Sequence, residues 1–290
     1  MQIVPFDSRD GLIWIDGTYV KWNDAKCHVL NHGLHYASCV FEGLRVYEGK
    51  IFKLTEHTER LFKSAEILDL KIPFDSTEII SISNEIVKKQ NIINGYIRPV
   101  VWRGSEIMAI SAKSSTTHIA IATWEWPSYF SPEGILDGIR LTVADWVRPS
   151  PESAPTDSKA AGLYMICSLS KHKAESKGFD DALMLDYRNY IAEATGANIF
   201  FVKENVLFTP KPDCFLNGIT RQTVIDLAKK LNIEFYEDHF DLKFLEDCDE
   251  VFLTGTAVEI TPVSCIDKYK FKIGKITKML IEEFQKEVLI

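Results

Sequence analysis

The chain has 290 residues, of which 46% are hydrophobic and 26% charged, an ordinary composition for a globular protein. At this length we expect two domains, each able to bury an apolar core. The formal net charge of −8 argues against nucleic acid and anionic membrane surfaces as partners, because both would repel it. No stretch approaches the ~20 apolar residues of a membrane-spanning helix.

The six cysteines are widely spaced and form no Cys-x-x-Cys pair, so they carry neither a zinc-ribbon nor a redox signature. Residues 1–11 hold charges and lack the apolar stretch of a secretory signal. We therefore expect free thiols and a cytoplasmic location.

Residues 13–22 predict a β-hairpin, because Asp16-Gly17 at the centre is typical of a type I′ turn. Asp75 and Glu78 have the spacing of a capping box, and Thr55 stands where it would cap an earlier helix. The other elements predicted in this half are strands over 39–47, 51–54, 96–102 and 118–126, and helices over 55–69 and 75–89.

Residues 127–138 are rich in proline, glycine and serine and are interpreted as an interdomain loop. This divides the chain into a small N-terminal domain over 1–126 and a larger domain over 139–290. In the larger domain, Thr220 stands where it would cap a helix over 221–231. Further strands are predicted over 139–146, 182–187, 190–192, 198–202, 206–209 and 250–253, and helices over 163–177 and 276–288. Strands dominate both halves and helices cover them, so the predicted fold class is α+β, or mixed α/β.

Two glycine-containing segments are candidates for anion binding. Leu216-Asn217-Gly218-Ile219-Thr220 joins a glycine turn to a helix start, where backbone N–H groups and the helix dipole favour an anion. Leu253-Thr254-Gly255-Thr256-Ala257 leads from a strand into a small loop whose amides would suit a carboxylate or phosphate. Taken alone, each motif is explained more simply by helix capping or by a tight turn between strands.

Lys159 and Glu193 are candidate reactive groups. Lys159 lies between Ser158 and Ala160-Ala161-Gly162, small neighbours that would let a flat ligand approach the amine. A lysine amine in a dry pocket can lose its proton and act as a nucleophile. Glu193 lies among small and apolar residues, and a buried acid requires a cationic partner. Most lysines and hairpin-end acids are solvated, so neither residue decides the function by itself.

His28, His32 and His35 recur at a spacing that would align three imidazoles on a helix, which is a conceivable metal site. No acid lies near them in the sequence, and Gly33 weakens the helical interpretation. A structural role in hydrogen bonding is favoured, and a non-enzymatic metal-binding protein is a remote alternative.

The order and spacing of several short motifs resemble the branched-chain amino acid aminotransferases, a group of class IV (fold type IV) enzymes that depend on pyridoxal 5′-phosphate (PLP). The similarity implies a two-domain fold with a strand-rich cofactor-binding domain. The matching segments are Leu30-Asn31-His32-Gly33-Leu34-His35-Tyr36, Val40-Phe41-Glu42-Gly43-Leu44-Arg45, His57-Thr58-Glu59-Arg60-Leu61, Tyr96-Ile97-Arg98-Pro99, Lys159, Tyr164, Glu193-Ala194-Thr195-Gly196-Ala197-Asn198, Gly218-Ile219-Thr220-Arg221 and Gly255-Thr256-Ala257-Val258-Glu259-Ile260-Thr261-Pro262.

The resemblance implies that Lys159 binds PLP covalently and moves a proton during the reaction. Glu193 would face the pyridine nitrogen and keep it protonated. Tyr164 would hydrogen-bond the phenolic oxygen of the cofactor, and Leu216 would pack on one face of its ring. The residues expected to hold the phosphate are Arg60, Ile219, Thr220 and Thr256.

The resemblance also implies a substrate site without a metal. Amides of Thr256 and Ala257, helped by Tyr96, would bind the α-carboxylate, and Arg98 would bind the side-chain carboxylate of glutamate. Gly43 is also expected among the substrate-binding residues. Aromatic residues would surround an aliphatic side chain, namely Tyr36, Phe41, Trp126, Tyr129 and Tyr164.

The function that the resemblance implies is amino-group transfer between branched-chain L-amino acids and 2-oxoglutarate, in branched-chain amino acid biosynthesis. D-amino acid aminotransferases and aminodeoxychorismate lyases share the fold and are the alternatives. Tyr96-Ile97-Arg98-Pro99 and Val40-Phe41-Glu42-Gly43 favour the branched-chain group. Members of the family form dimers, so we expect a homodimer or a higher homo-oligomer.

Overall fold

The structure is a computed structural model, and it describes residues 4–126 and 137–289. The chain forms two compact units. The first contains residues 4–126 and the short segment Ser158–Gly162, and the second contains residues 137–157 and 163–289. The predicted interdomain loop lies largely outside the described residues, so its bounds stay a prediction. Helices and strands occur in both units, as the predicted α+β class requires.

An antiparallel sheet of seven strands is the framework of the described part of the first unit. Its strands are β1 (Leu12–Ile15), β2 (Thr18–Lys21), β3 (Cys39–Phe41), β4 (Leu44–Tyr47), β5 (Lys50–Ile51), β6 (Gly95–Arg103) and β7 (Thr117–Glu125). They lie in the order β2-β1-β7-β6-β4-β5, and β3 also pairs with β6. The helices are α1 (His32–Tyr36), α2 (Leu54–Ile67) and α3 (Ser76–Lys89). Apolar residues of the sheet, α2 and α3 form one core.

Local sequence signals place most of these elements. The hairpin prediction is confirmed, because Asp16 and Gly17 both have positive φ, as a type I′ turn requires. The capping box of α3 is confirmed as well, with Glu78 N donating to Asp75 Oδ1 at 2.8 Å. The prediction for Thr55 is wrong, because α2 begins at Leu54 without a side-chain cap.

A larger sheet organises the second unit. Its strands are β8 (Ile139–Val143), β9 (Asp181–Leu185), β10 (Ile191–Ala194), β11 (Asn198–Lys203), β12 (Val206–Pro210), β13 (Phe235–Asp238), β14 (Glu250–Gly255), β15 (Glu259–Ile266) and β16 (Tyr269–Lys270). Their order is β10-β9-β8-β15-β14-β11-β12-β13, and β16 pairs with β15. The helices are α4 (Tyr164–Ser176), α5 (Ile219–Lys230) and α6 (Lys275–Glu287).

The pairing of Glu193 with Asn198 joins β10 to β11 and closes a ring of six strands. Asn198 is in turn directly opposite Thr254 of β14. Directly paired residues point to the same side of a sheet, so these three polar side chains share one face. Their neighbours Ile199 and Leu253 point to the other face, into the apolar core of the unit.

The last helix is held at its N-terminus by a buried acid. Glu250 of β14 accepts hydrogen bonds from Thr277 N at 2.8 Å and from Ile276 N at 3.3 Å. These donors belong to the first turn of α6 and have no partner within the helix. A Cβ at Gly274 would lie 2.0 Å from Glu250 Oε1, so glycine is needed for this approach. Among the helices that the structure describes, none combines the length and the apolar character needed to cross a membrane.

Candidate active site

The main chain around Lys159 is fixed within the first unit. Lys159 N donates to Ser64 Oγ at 3.0 Å, and Phe41 N donates to Lys159 O at 3.2 Å. The fully buried Ser64 also accepts a hydrogen bond through its carbonyl oxygen from Ser158 Oγ at 3.1 Å. Lys159 Nζ lies 5.1 Å from the centroid of the Phe41 ring, within cation–π range. The amine therefore extends from a main chain that is held by hydrogen bonds and lies against an aromatic face.

A buried carboxylate, Glu42, lies immediately after Phe41. It accepts hydrogen bonds from Arg60 Nε at 2.6 Å, Arg60 Nη2 at 3.0 Å and His57 Nδ1 at 2.7 Å. Gly43 N donates to the same carboxylate at 3.2 Å. Burial raises the pKa of Glu42, but the charge of Arg60 and the hydrogen bonds from His57 and Arg60 outweigh it and lower that pKa. Glu42 is therefore ionised at neutral pH.

His57 is neutral in this cluster. Burial lowers its pKa from the usual 6.5, the hydrogen bond and charge of Glu42 oppose this, and the positive charges of Arg60 and Lys159 lower the pKa further. A carboxylate can only accept, so Nδ1 carries the proton of the neutral ring. The cluster thus holds one negative charge on Glu42 and one positive charge on Arg60.

The structure brings five of the predicted substrate residues together in the first unit: Phe41, Gly43, Tyr96, Arg98 and Trp126. The Arg98 guanidinium carbon lies 4.7 Å from the Phe41 ring centroid and 5.4 Å from that of Tyr96. Arg98 Nη2 donates to Tyr96 Oη at 3.5 Å, while Arg98 Nε is buried without a hydrogen-bond partner among the described residues. The rings of Tyr96 and Trp126 are 5.7 Å apart. A cation against aromatic faces suits an amino acid with a carboxylate.

Gly43 makes room for Tyr96. A Cβ at Gly43 would lie 1.8 Å from Tyr96 Oη, so any other residue would displace that ring. Tyr36 is 41% exposed and stacks on His32 at 4.5 Å. Tyr129 lies outside the described residues. The substrate roles of all these residues stay predictions.

The three N-terminal histidines are engaged in hydrogen bonds. His32 Nδ1 contacts Ser38 Oγ at 2.6 Å, and His32 Nε2 contacts Ala109 O at 2.9 Å. His35 Nε2 contacts Val29 O at 2.9 Å, and His28 Nδ1 accepts from Leu30 N at 3.1 Å. Within residues 4–126 and 137–289, these histidines do not form a group that could hold a metal ion. The structural role favoured from sequence explains them.

A different group of potential metal ligands lies at Asp186, Asp213 and Cys214. Arg188 already supplies the cation, because its Nη2 is 2.6 Å from Asp186 Oδ2 and 2.8 Å from Asp213 Oδ1. His239 Nε2 contacts Asp213 Oδ2 at 2.8 Å. These bonds satisfy the acids without a metal.

Glu193, in the second unit, is buried and paired with a cation. Arg148 Nε lies 3.3 Å from Glu193 Oε1, and both side chains are almost inaccessible. Burial disfavours the charged form of Arg148, but the Glu193 carboxylate outweighs it, so the pKa of Arg148 is raised. Arg148 Nη1 also contacts Cys167 Sγ at 3.3 Å, and burial raises the pKa of this thiol to about 11. A charged, oriented carboxylate is what a protonated ring nitrogen needs as its partner.

Asn198 joins this acid to the first glycine turn. Its Nδ2 donates to Glu193 Oε2 at 3.2 Å and to Leu216 O at 3.0 Å. Its Oδ1 accepts from Gly218 N at 3.1 Å, and a Cβ at Gly218 would lie 2.2 Å from this oxygen. One buried amide therefore sets the position of the turn relative to the Glu193 carboxylate.

The turn leads into α5, whose N-terminal residue Ile219 follows Gly218 without a side-chain cap. The prediction that Thr220 caps this helix is wrong, because Thr220 is the second residue of the helix and is buried. The N–H groups of the first turn and the helix dipole remain directed at whatever lies before the helix, which favours an anion. The phosphate role of Ile219 and Thr220 stays a prediction.

The second glycine segment ends β14 and turns at Thr256 and Ala257 before β15 begins at Glu259. Thr254, in the strand itself, is buried, and its Oγ1 has no hydrogen-bond partner among the described residues. It shares the sheet face of Glu193 and Asn198, so its side chain is a candidate ligand, whereas the sequence indicated only the loop amides of this segment.

Arg148, Asn198, Glu42 and His57 were also missed as participants. A local signal existed for Glu42, which is an acid inside an otherwise apolar strand pattern. Arg148 carried no such signal, since its partner is 45 positions away in sequence. Tyr164 begins α4, and its predicted contact with the cofactor stays a prediction.

The family model for amino-transferase class IV matches residues 39–266. The chain therefore belongs to the class IV aminotransferases, and the resemblance drawn from its motifs is confirmed.

Several similar relatives are named as branched-chain amino acid aminotransferases. A probable branched-chain-amino-acid aminotransferase of Rickettsia conorii is 45% identical, over 99% of this chain and 99% of its own. The branched-chain-amino-acid aminotransferase of Pseudomonas aeruginosa is 40% identical, over 92% of this chain and 88% of its own. A crystal structure of the branched-chain amino acid aminotransferase from T.th. with pyridoxamine 5′-phosphate has a TM-score of 0.93 at 37% identity, covering 97% of this chain and 94% of that one. A crystal structure of the branched-chain amino acid aminotransferase from Escherichia coli has a TM-score of 0.92 at 36% sequence identity, covering 96% of this chain and 94% of that one.

Proposed function

We propose that this chain is a PLP-dependent transaminase that transfers the amino group between branched-chain L-amino acids and 2-oxoglutarate. The observation that carries the proposal is the buried chain of contacts from Glu193 through Asn198 to Gly218, which ties an acid paired with Arg148 to a helix N-terminus that has no side-chain cap. A ring nitrogen and a phosphate are the two ends of PLP that need such partners. The names of the relatives support the same activity and the same substrates.

The residues present fit the cofactor. The second unit offers a carboxylate held by Arg148, a helix start that favours an anion, and the buried hydroxyl of Thr254 on the same sheet face. These groups would hold PLP together with Tyr164, Leu216 and Thr256, and Lys159 would hold it through its amine. When bound, PLP supplies an electron-accepting ring that stabilises negative charge at the substrate Cα.

The protein side of the reaction is proton transfer and charge control. Lys159 Nζ would take the proton from the substrate Cα and return one, acting as general base and general acid. The Phe41 ring, whose centroid is 5.1 Å from this amine, would shield one side of it from water. Arg148 would keep Glu193 ionised during this transfer, because removal of charge from a buried pair is costly.

Substrate recognition is proposed for the first unit. Phe41, Tyr96 and Trp126 provide apolar surface for an aliphatic side chain. Arg98, whose guanidinium lies against the Phe41 and Tyr96 rings, would pair with the second carboxylate of glutamate. We also propose a homodimer or higher homo-oligomer in the cytoplasm, which light scattering of the purified protein and fractionation of cells would test.

The direct test is a panel of L- and D-amino acids with 2-oxoglutarate, comparing the wild type with Lys159→Ala. We expect turnover of L-leucine, L-isoleucine and L-valine, no turnover of D-alanine, and a visible absorption band that Lys159→Ala loses. Preference for D-alanine would point to a D-amino acid aminotransferase instead. A wild type that takes up no PLP would overturn the proposal.

Glu193→Gln tests the ring-nitrogen assignment. The amide is isosteric with the acid and uncharged, so we expect the rate of amino-group transfer to fall by more than ~100-fold, the cost of a lost electrostatic partner at the reacting centre. A change of less than about tenfold, or about 1.4 kcal/mol in the barrier, would contradict the role.

A further inference from the structure

Glu42 and His57 form a buried cluster with Arg60 in the first unit, and neither of these two residues has a role in the proposed reaction. Glu42 is fully buried, whereas the Arg60 side chain is 16% exposed. Burying a carboxylate costs several kcal/mol unless good geometry and hydrogen bonds offset it. Such a group is expected where a second charge must be held in one orientation.

The geometry of the pair is that of a clamp. Glu42 accepts from Nε and from Nη2, two donors on one edge of the planar guanidinium. A bidentate pair of this kind fixes the plane of the guanidinium and its rotation in that plane. The donors of Nη1 consequently point away from Glu42, in a direction set by the clamp.

His57 and Gly43 fix the Glu42 carboxylate of this pair by hydrogen bonds. His57 Nδ1 and Gly43 N both donate to Glu42 Oε2, so the carboxylate itself cannot rotate without losing them. His57 and Arg60 lie three residues apart on α2, on the same helix face. Ser64 follows on that face and binds the main chain of Lys159. One helix therefore carries both the guanidinium and the support of the reactive lysine.

We propose that Glu42 and His57 are positioning residues that hold the Arg60 guanidinium in one orientation, and that this orientation serves the contact with the cofactor phosphate that the family resemblance implies for Arg60. The inference rests on the proposed function, because it concerns the affinity of the same protein for PLP. A guanidinium held in advance loses less conformational entropy on binding, so the clamp contributes to phosphate affinity without touching the phosphate.

The test is a binding titration of the full-length apoprotein with PLP and with pyridoxal, which lacks the phosphate. In Glu42→Gln, an amide N–H replaces one acceptor and faces either Arg60 or His57, so the clamp is broken without a change of shape. We expect the dissociation constant for PLP to rise by roughly tenfold or more, equivalent to about 1.4 kcal/mol. The constant for pyridoxal should change by less than about twofold, because a lost phosphate contact leaves the rest of the site intact.

Two variants of His57 separate positioning from folding. His57→Asn places an amide donor close to the position of Nδ1 and should restore PLP affinity to within about threefold of wild type. His57→Leu has no donor and should behave like Glu42→Gln. In an Arg60→Gln background, Glu42→Gln should add no further loss for PLP, since the group it orients is gone.

Asp16→Asn is the matched control, because Asp16 is an acid of the same unit that accepts from His118 Nδ1 at 2.7 Å and Ile119 N at 2.9 Å. It should leave both dissociation constants unchanged. Equal losses for PLP and pyridoxal in Glu42→Gln, or no loss for either, would overturn the clamp while wild-type binding preserves the proposed function. A wild type that binds no PLP would overturn both.

Discussion

Asn198 offers the sharpest test of how the second unit prepares its site. Asn198→Ala removes two hydrogen bonds to main-chain groups of the glycine turn and one to the Glu193 carboxylate. A neutral hydrogen bond contributes about 1 kcal/mol and one to a charged group about 1.5–3 kcal/mol. The three sum to roughly 3.5–5 kcal/mol, and relaxation of the turn reduces the expected loss of unfolding free energy to about 3 kcal/mol.

Asn198→Asp gives this prediction a pH dependence. The isosteric acid keeps the acceptor for Gly218 N but brings a second carboxylate to the position 3.2 Å from Glu193. Two adjacent carboxylates share a proton, so the folded pKa of the pair rises above the unfolded value. The variant should retain stability below about pH 4, near the unfolded pKa of a carboxyl group, and lose it as the pH rises through the raised pKa.

Urea unfolding at about pH 4.5 and about pH 8, with PLP titration of each variant, measures both effects. Asn198→Ala should lose stability equally at the two pH values, and Asn198→Asp should lose more at the higher one. If the unfolding free energy of Asn198→Ala were within about 0.5 kcal/mol of wild type and the variant bound PLP as tightly, Asn198 would not be needed to position the glycine turn.

Three further outcomes are expected. Gly43→Ala should raise the KM for amino acids by about tenfold or more, because its Cβ would displace the Tyr96 ring. Steady-state kinetics measure the KM, and thermal melts show whether the variant stays folded. The free energy of unfolding of wild type should fall more than that of His57→Asn when the pH drops below 6.5. The pKa of His57 is lower in the folded protein than in the unfolded chain, so acid protonates the unfolded chain preferentially and stabilises it. Glu250→Gln should cost about 1–2 kcal/mol of unfolding free energy in urea, because it weakens the charged cap of α6.

Gly43→Ala has a matched control, and each of the three outcomes has a result that would contradict it. Gly196→Ala adds a Cβ that meets no atom within 4 Å, so its unfolding midpoint should match wild type. An unchanged KM in Gly43→Ala would show that the Tyr96 ring is not needed where it lies. Equal acid sensitivity of wild type and His57→Asn would contradict a neutral His57. A melting temperature of Glu250→Gln equal to that of wild type would show that water replaces the cap.

Much of the fold followed from local chemistry. Asp16-Gly17 and the pair Asp75 and Glu78 set their turn and helix start through bonds between near neighbours, so sequence reasoning located them. It failed at Thr55 and Thr220, because each is the second residue of a helix that starts without a side-chain cap, and local sequence places helix ends only to within one or two residues. It also ran residues 39–47 as one strand, although pairing breaks after Phe41 and resumes at Leu44.

The sequence by itself determined the family, because the order and spacing of its motifs can be recognised without any knowledge of contacts. It also indicated Lys159 and Glu193 as candidate reactive groups. Only the tertiary structure showed which charges meet. Arg148 pairs with Glu193 across 45 positions, and Glu42, in the link between β3 and β4, pairs with Arg60 of α2. Charge pairing depends on distance in space and on burial, and neither quantity is a property of sequence order.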